Sequence, residues 1–175
     1  MKILFAFILM TLLTNCSGNK MKPIDFKDQE PRLIIENYLS GNVKAWGLLQ
    51  DRSGKVTRQF SAELKGKWNG KELILDEKFN WNDGEVQKRQ WKIIKIDEHN
   101  YEGTAGDVVG KAKGYSYGPA FKFEYVLLVP VKGKEVKITF DDWIFKQDEK
   151  VAINRATMTK FGIKVAELTV MFVKE

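Results

Sequence analysis

The sequence predicts an all-β domain: an antiparallel, up-and-down barrel with one short N-terminal helix. Apolar and polar residues alternate with a period of two from Val56 onward, which is typical of half-buried strands. Tight-turn signals such as Asn69-Gly70 separate these segments, and no helical pattern intervenes. Roughly eight to ten short strands joined in this way form a sandwich or a barrel. We favour the barrel, because closure of the sheet removes its exposed edges.

The helix is predicted over residues 31–39. Pro31 suits a first helical turn, and Gly41 suits the C-terminal cap. Ile34 and Ile35 each lie four residues before another apolar residue, so one stripe of the helix is apolar. We expect this helix to cover one mouth of the barrel.

The two strands with the clearest alternation surround the Asn69-Gly70 turn. The apolar face of the first holds Val56, Arg58, Phe60, Ala62, Leu64, Gly66 and Trp68. The apolar face of the second holds Leu73, Leu75, Glu77, Phe79 and Trp81. Further strands are predicted over residues 86–97, 101–109, 121–129, 136–145, 151–159 and 163–173. A series of glycines is expected to mark bends of the barrel wall: Gly103, Gly106, Gly110, Gly114 and Gly118.

The N-terminal residues have the pattern of a secretion signal. Met1-Lys2 is followed by an apolar run over residues 3–13. This run is too short to span a bilayer, which needs about 20 apolar residues. The run ends at Leu13-Thr14-Asn15-Cys16, which resembles a bacterial lipobox, although Asn15 stands where a smaller residue is usual. We therefore predict a signal peptide over 1–15, a polar tether over 16–27 and one barrel domain over 28–175. The alternative is a secreted protein with a free thiol.

Cys16 is accordingly the predicted site of lipid attachment. The expected location is the bacterial envelope, with the chain anchored through this lipid to the outer membrane and facing the periplasm. Formal net charge is +6, which would ordinarily raise nucleic acid as a partner. Export argues against nucleic acid and leaves anionic lipid head groups as a counter-surface, but the favoured interpretation of the charge is that the lysines simply occupy solvated strand faces. The membrane is the expected partner through the lipid anchor. The oligomeric state stays open.

Composition excludes several kinds of chemistry. Cys16 is the only Cys, and the only His, His99, lies in a predicted turn. The sequence therefore contains too few His and Cys residues for a metal site built from them, or for Ser/His or Cys/His catalysis. We expect no metal site and no cofactor.

Charged residues interrupt the apolar faces of the predicted strands. Three are Arg and three are acidic: Arg58, Arg89, Arg155, Glu77, Asp107 and Asp142. Charges inside a barrel must pair or face water, because an unpaired buried charge is unfavourable. One interpretation is an interior ion-pair network without a ligand. The other is a ligand cavity walled by Trp68, Trp81, Trp91, Phe79 and Phe123, in which the guanidinium groups bind a carboxylate or phosphate head.

A series of short motifs resembles a known family. In chain order they are Ala45-Trp46-Gly47, Asp51-Arg52-Ser53-Gly54, Arg58-Gln59-Phe60, Gly66-Lys67-Trp68-Asn69-Gly70, Asp83-Gly84-Glu85, Arg89-Gln90-Trp91, Gly106-Asp107-Val108-Val109-Gly110, Asp141-Asp142-Trp143, Ile153-Asn154-Arg155-Ala156 and Lys160-Phe161-Gly162. Together they resemble the uncharacterised bacterial lipoproteins of domain of unknown function 3833. The resemblance implies an exported, lipid-anchored domain and favours a lipid-like ligand, with no established activity. Gly66-Lys67-Trp68 also resembles the GxW motif of lipocalins, which suggests a lipocalin-like barrel.

Three functions are compatible with these residues. The favoured one is a module that binds or carries a small amphipathic ligand, such as a fatty acid or another lipid-like molecule. The second is a metal-free isomerase or cyclase that uses Glu77, Asp107 or Asp142 as a base; neighbouring Arg groups argue against it, because they lower carboxyl pKa values. The third is a structural envelope protein that contacts partners through outward-facing Trp143 and Phe145.

Overall fold

The computed structural model describes residues 20–131 and 133–175, so the predicted signal peptide and Cys16 lie outside the described residues. The described part contains one short α-helix, α1 (Ile35–Tyr38), and ten strands. The strands are β1 (Gly41–Asp51), β2 (Val56–Trp68), β3 (Glu72–Trp81), β4 (Val86–Lys95), β5 (Asn100–Thr104), β6 (Ala112–Tyr117), β7 (Ala120–Val131), β8 (Lys134–Lys146), β9 (Val151–Lys160) and β10 (Ile163–Lys174).

The strands form one closed barrel in which neighbours along the chain are neighbours in the sheet. All pairs are antiparallel, and β10 closes the barrel against β1 from Val43↔Lys174 to Asp51↔Ala166. The predicted up-and-down barrel with a short N-terminal helix is therefore confirmed. All ten strands and their core lie within residues 20–175, so we expect this part of the chain to fold on its own.

Alternation along β2 and β3 places the residues as the pattern predicts. Phe60, Ala62 and Leu64 are buried in β2, and Leu73 and Leu75 are buried in β3. The turn between these strands uses Gly70 at a φ of 97°, a conformation that favours glycine. The side-chain oxygen of the preceding asparagine accepts hydrogen bonds from the backbone N–H groups of the next two residues after the glycine, at 3.0 and 2.8 Å. This turn fixes the register that sends one face of both strands inward.

The cap at one mouth of the barrel contains a shorter helix than the sequence predicts. Helix α1 covers Ile35–Tyr38 rather than residues 31–39, because the segment before it bonds to the barrel. The backbone N–H of Leu33 donates to the carbonyl of Gly118 at 2.8 Å, and Ser116 Oγ donates to the carbonyl of Leu33 at 2.9 Å. The cap nevertheless closes this mouth as expected, and Tyr38 OH donates to the carbonyl of Lys150 at 2.9 Å.

A buried carboxylate ties the cap to the barrel wall. Glu36 accepts hydrogen bonds from Lys95 Nζ at 2.6 Å and from Tyr101 OH at 2.9 Å. Burial acts to raise the pKa of Glu36, but the hydrogen bonds from Lys95, from the backbone of Glu36 and from Tyr101 outweigh it, and the net pKa is lowered. The cap therefore keeps an ionised, fully bonded carboxylate.

The region around the predicted strand 101–109 folds differently from the prediction. Strand β5 ends at Thr104, residues 105–111 form a loop, and β6 follows as a strand that the pattern did not predict. Glycines in both strands make room for aromatic rings. A Cβ at Gly103 would lie 2.4 Å from Phe123 Cζ, and one at Gly114 would lie 2.9 Å from Phe121 Cζ. These glycines therefore mark close packing inside the wall.

A 3-10 helical turn, Pro23–Phe26, lies against the outside of the barrel. The ring of Phe26 lies 6.0 Å from that of Trp143 and 5.4 Å from that of Phe145. Trp143 is only 7% exposed. The expectation that Trp143 and Phe145 form an exposed apolar surface is therefore wrong, because the N-terminal segment of the same chain covers them.

Candidate functional site

The interior of the barrel holds a cavity of about 840 Å³. It extends from Ile35 and Leu39 of the cap toward Asp107 and Pro130 at the opposite mouth. Nine aromatic side chains contribute to its wall: Phe60, Phe79, Trp81, Trp91, Phe121, Phe123, Tyr125, Phe140 and Phe172. Some of these rings pack edge to face, as Trp91 does on Tyr125 at 5.3 Å, whereas Tyr125 stacks on Phe140 at 5.0 Å. The volume falls within the range of about 300–1,000 Å³ that is usual for small-molecule sites.

A charged cluster around Arg89 lies in this wall. Arg89 Nε and Nη2 donate to both oxygens of Asp107, with the shortest contact at 2.7 Å. Glu77 Oε2 lies 3.7 Å from Arg89 Nη1, beyond hydrogen-bond range, and this buried oxygen has no hydrogen-bond partner among the described residues. Asp107 comes from the loop after β5, whereas the other two come from facing positions of β3 and β4. The structure thus brings together three of the six charged residues that the sequence placed on the inward faces of the strands.

A second carboxylate in the cavity is held by hydrogen bonds. Tyr125 OH donates to Asp142 Oδ2 at 2.9 Å. Asn154 Nδ2 donates to Asp142 Oδ1 and also to the carbonyl of Trp143 at 3.2 Å. Neither Tyr125 nor Asn154 is among the site residues predicted from the sequence. Tyr125 continues the inward alternation of Phe121 and Phe123, which was a usable signal.

Burial changes the proton affinity of these acids. It raises the pKa of Glu77 to about 7, against the opposing attraction of Arg89. It likewise raises the pKa of Asp142 to about 6, although the hydrogen bonds from Asn154 and Tyr125 act in the other direction. Burial works against the charge of Arg89, but Glu77 and Asp107 outweigh it and raise its pKa. The cavity therefore combines a permanent cation with two acids that titrate near neutrality.

Arg58 lies apart from this cluster, beside the mouth opposite the cap. Its guanidinium lies 4.0 Å from the centroid of the Trp81 ring, a cation–π contact. It donates to Asp83 at 2.7 Å and to Glu85 at 2.8 Å, both in the β3–β4 connection. Arg58 thus binds a turn at the rim.

Two predicted site residues lie elsewhere. Arg155 faces outward with 67% of its side chain exposed, and its contact with Glu167 is 3.5 Å. In β9 the inward residues are Ala152, Asn154 and Ala156, which are all buried. Arg155 was predicted to face inward because it follows Val151 and Ile153. Apolar residues occupy both faces of β9, however, so the alternation does not determine which face points into the barrel. The second is Trp68, which packs on the core at the capped end and is not among the residues that line the cavity.

Among the described residues, none of the helices combines the length and apolar character needed to cross a membrane. His99 lies in the connection before β5, where its Nδ1 is 2.8 Å from the carbonyl of Ser116 and its ring stacks on Tyr117.

Fold and site together define a lipocalin-like barrel whose interior is large enough for a small molecule. The chain belongs to a family described as "Protein of unknown function (DUF3833)", whose model matches residues 10–174. This confirms the domain of unknown function that the motifs resemble, whereas the lipoprotein character implied by the resemblance stays a prediction. No curated protein matches the chain.

Two solved structures share the fold at very low sequence identity. The S-type phycobiliprotein lyase CPES of Guillardia theta has a TM-score of 0.61 and 8% identity, with 80% of this chain and 90% of that chain covered. A protein of unknown function from the DUF3598 family of Nostoc punctiforme has a TM-score of 0.60 and 13% identity. That match covers 84% of this chain but 51% of the other, so the present chain spans about half its length. These likenesses establish the barrel fold alone.

Proposed function

We propose that this protein is a binding module that holds a small amphipathic, lipid-like molecule inside its barrel. The observation that carries the proposal is the cavity of about 840 Å³, with an aromatic wall and an enclosed polar cluster on one side. An apolar pocket with a few convergent polar groups is the usual form of a small-molecule site. The aromatic wall would receive the apolar part of the ligand, and the cluster of Glu77, Arg89 and Asp142 would orient its head.

The proposal includes a place in the cell. The lipid predicted on Cys16 would anchor the barrel to the bacterial envelope, so that it takes its ligand from a membrane or passes it to one. Mass analysis of the N-terminal peptide tests this part: a diacylglyceryl group on Cys16 supports it. A Cys16→Ser variant should then leave the membrane fraction, and an unmodified Cys16 would contradict the anchor.

Binding itself is tested with residues 20–175. Native mass spectrometry of this fragment, together with titration of its tryptophan fluorescence by single-chain amphiphiles, should reveal a one-to-one complex. Phe79→Ala, which removes part of the aromatic wall, should weaken that complex, whereas Phe161→Ala, the matched change at an exposed turn, should leave it unchanged. If no amphiphile binds, or if both variants behave alike, the proposed function fails.

A second candidate function, a metal-free isomerase or cyclase, is favoured by one observation. Glu77 faces the cavity with an unpartnered oxygen, and burial raises its pKa to about 7, which suits a general acid or base. Incubation of a bound ligand with the protein, followed by chromatography for a product of equal mass, tests this function. Turnover that Glu77→Gln abolishes while binding persists would support it, and unchanged ligand would exclude it.

A further inference from the structure

We propose that the head group of the cavity ligand is a cation, an ammonium-type group that donates hydrogen bonds, rather than a carboxylate or a phosphate. This inference rests on the proposed binding function and narrows its ligand class. It replaces the expectation of an acidic head, which assumed guanidinium groups that are free to bind one. Three features of the cavity carry it.

The first feature is that both inward-facing Arg side chains already bind carboxylates. Arg89 makes three hydrogen bonds to the two oxygens of Asp107, at 2.7 to 3.1 Å. Arg58 donates to Asp83 and Glu85 at the rim. A ligand carboxylate would have to displace one of these partners, and the displaced carboxylate would stay nearby as a repelling charge. Arg58 Nε is buried without a hydrogen-bond partner, but it lies at the rim, apart from the acids around Arg89. Beside Arg89 the geometry therefore gives an anionic head no ready partner.

The second feature is an excess of acceptors around Arg89. Three carboxylates, those of Glu77, Asp107 and Asp142, face the cavity beside this one guanidinium. Tyr125 and Asn154 donate to Asp142, and Arg89 donates to Asp107, so two of the three carboxylates are bonded. Oε2 of Glu77 is buried without a donor. A buried acceptor without a partner is unfavourable, and a donor on the ligand would satisfy it.

The third feature is the wall that adjoins these acids. The guanidinium of Arg89 itself lies 5.9 Å from the centroid of the Phe79 ring, and Trp91 packs on Tyr125 in the same wall. Aromatic faces attract cations through their quadrupole, most strongly where water is excluded. Aromatic rings combined with carboxylates are the usual environment of ammonium ligands, whereas the same rings give an anion no attraction.

These features predict an order of affinity among ligands with the same chain and different heads. Dodecylamine, 1-dodecanol and dodecanoate are titrated below their micelle concentrations into residues 20–175 at pH 7.5, with tryptophan fluorescence as the signal. The ammonium should bind tightest, the alcohol should be intermediate and the carboxylate weakest, with at least about a tenfold difference in Kd between the two charged heads. Calorimetry in buffers of different ionisation enthalpy should also show proton release on amine binding, because a cation stabilises ionised Glu77.

Variants assign the effect to Glu77. Glu77→Gln should raise the Kd of dodecylamine by about tenfold and change the Kd of 1-dodecanol by less than about twofold. Glu63→Gln, the matched change on the outer face of β2, should alter neither. Asp142→Asn provides a second, independent change in the same cavity and should also weaken the amine selectively.

The outcomes separate the two levels of the proposal. Dodecanoate that binds as tightly as dodecylamine, or tighter, overturns the cationic head and leaves the binding function standing. A Glu77→Gln variant that weakens all three ligands equally also overturns it, because the residue would then act through cavity shape. If none of the three ligands binds, both the head group and the binding function are overturned.

Discussion

Replacement of Glu77 by Gln should stabilise the barrel at alkaline pH. The pKa of this enclosed carboxyl is raised from its ordinary value of 4.5 to about 7, chiefly by burial. Because each pKa unit corresponds to 1.36 kcal/mol, ionised Glu77 lowers the free energy of unfolding by up to about 3 kcal/mol relative to its protonated form. Glutamine has nearly the same shape and carries no charge, so it should recover most of this free energy. Arg89 keeps Asp107 as its partner.

The sign of the pH dependence follows from proton binding. The folded protein holds the Glu77 proton up to about pH 7, whereas the unfolded chain loses it near pH 4.5. Between these values the folded state binds more protons, so its stability falls as the pH rises. Asp142, with a pKa raised to about 6, adds a fall of the same sign. The free energy of unfolding of the Glu77→Gln variant should therefore equal that of the parent protein near pH 4 and exceed it at pH 8. It should fall less steeply with pH, because only the contribution of Asp142 remains.

The assay is urea unfolding of residues 20–175, followed by tryptophan fluorescence at pH 4, 6 and 8. Glu63→Gln, which removes an exposed carboxylate from the outer face of β2, is the control and should shift the free energy of unfolding by less than about 0.5 kcal/mol. A Glu77→Gln variant that is less stable at pH 8 would refute the reasoning, because the ion pair with Arg89 would then outweigh the burial of the carboxylate.

Three further changes have defined outcomes. Asp107→Ala removes the bidentate partner of enclosed Arg89 and should lower the free energy of unfolding by about 3 kcal/mol in the same urea assay. A loss below about 1 kcal/mol would contradict this, because it would mean that solvent reaches the guanidinium. Arg155→Ala should change stability by less than about 0.5 kcal/mol, since its ion pair is exposed, and a larger loss would contradict the outward placement. Phe161→Asn should raise the midpoint of thermal unfolding by about a few degrees. Phe161 and Gly162 both have positive φ angles, 52° and 77°, and a two-residue turn of this kind favours Asn-Gly. An unchanged or lower midpoint would show that the phenylalanine ring makes a compensating contact.

Much of the barrel could be predicted from the sequence, because alternation and turn chemistry act locally. In β2 and β3 the inward face is apolar and the outward face is polar, so parity is unambiguous, and Glu77 is correctly placed inside. The pairing of Arg89 with acids follows from the same parity and from the high free energy of an unpaired buried charge. These steps need no knowledge of distant parts of the chain.

Other parts depend on contacts that a local pattern does not contain. In β9, Ile153 is 39% exposed and Asn154 is 3% exposed, the reverse of what polarity alone suggests, because Asn154 bonds to Asp142 on the neighbouring strand. The segment before α1 has helical periodicity, yet it stays extended because Leu33 bonds to the β6–β7 turn. Trp143 lies on the outer face and is covered by a residue more than a hundred positions earlier, Phe26.

Closure of the barrel has a consequence for the order in which the chain can fold. Nine of the ten strand pairings join strands that are consecutive in the chain, whereas β1 pairs with β10 across the full length of the domain. Until residues 163–174 are available, β1 and β9 each present an unpaired edge, which is the form of a sheet most prone to pair with other chains. Such a long-range pairing also slows folding, since loop closure must precede it. Loss of the final strand should therefore turn a closed barrel into an aggregating one, although every other pairing remains encoded in the chain.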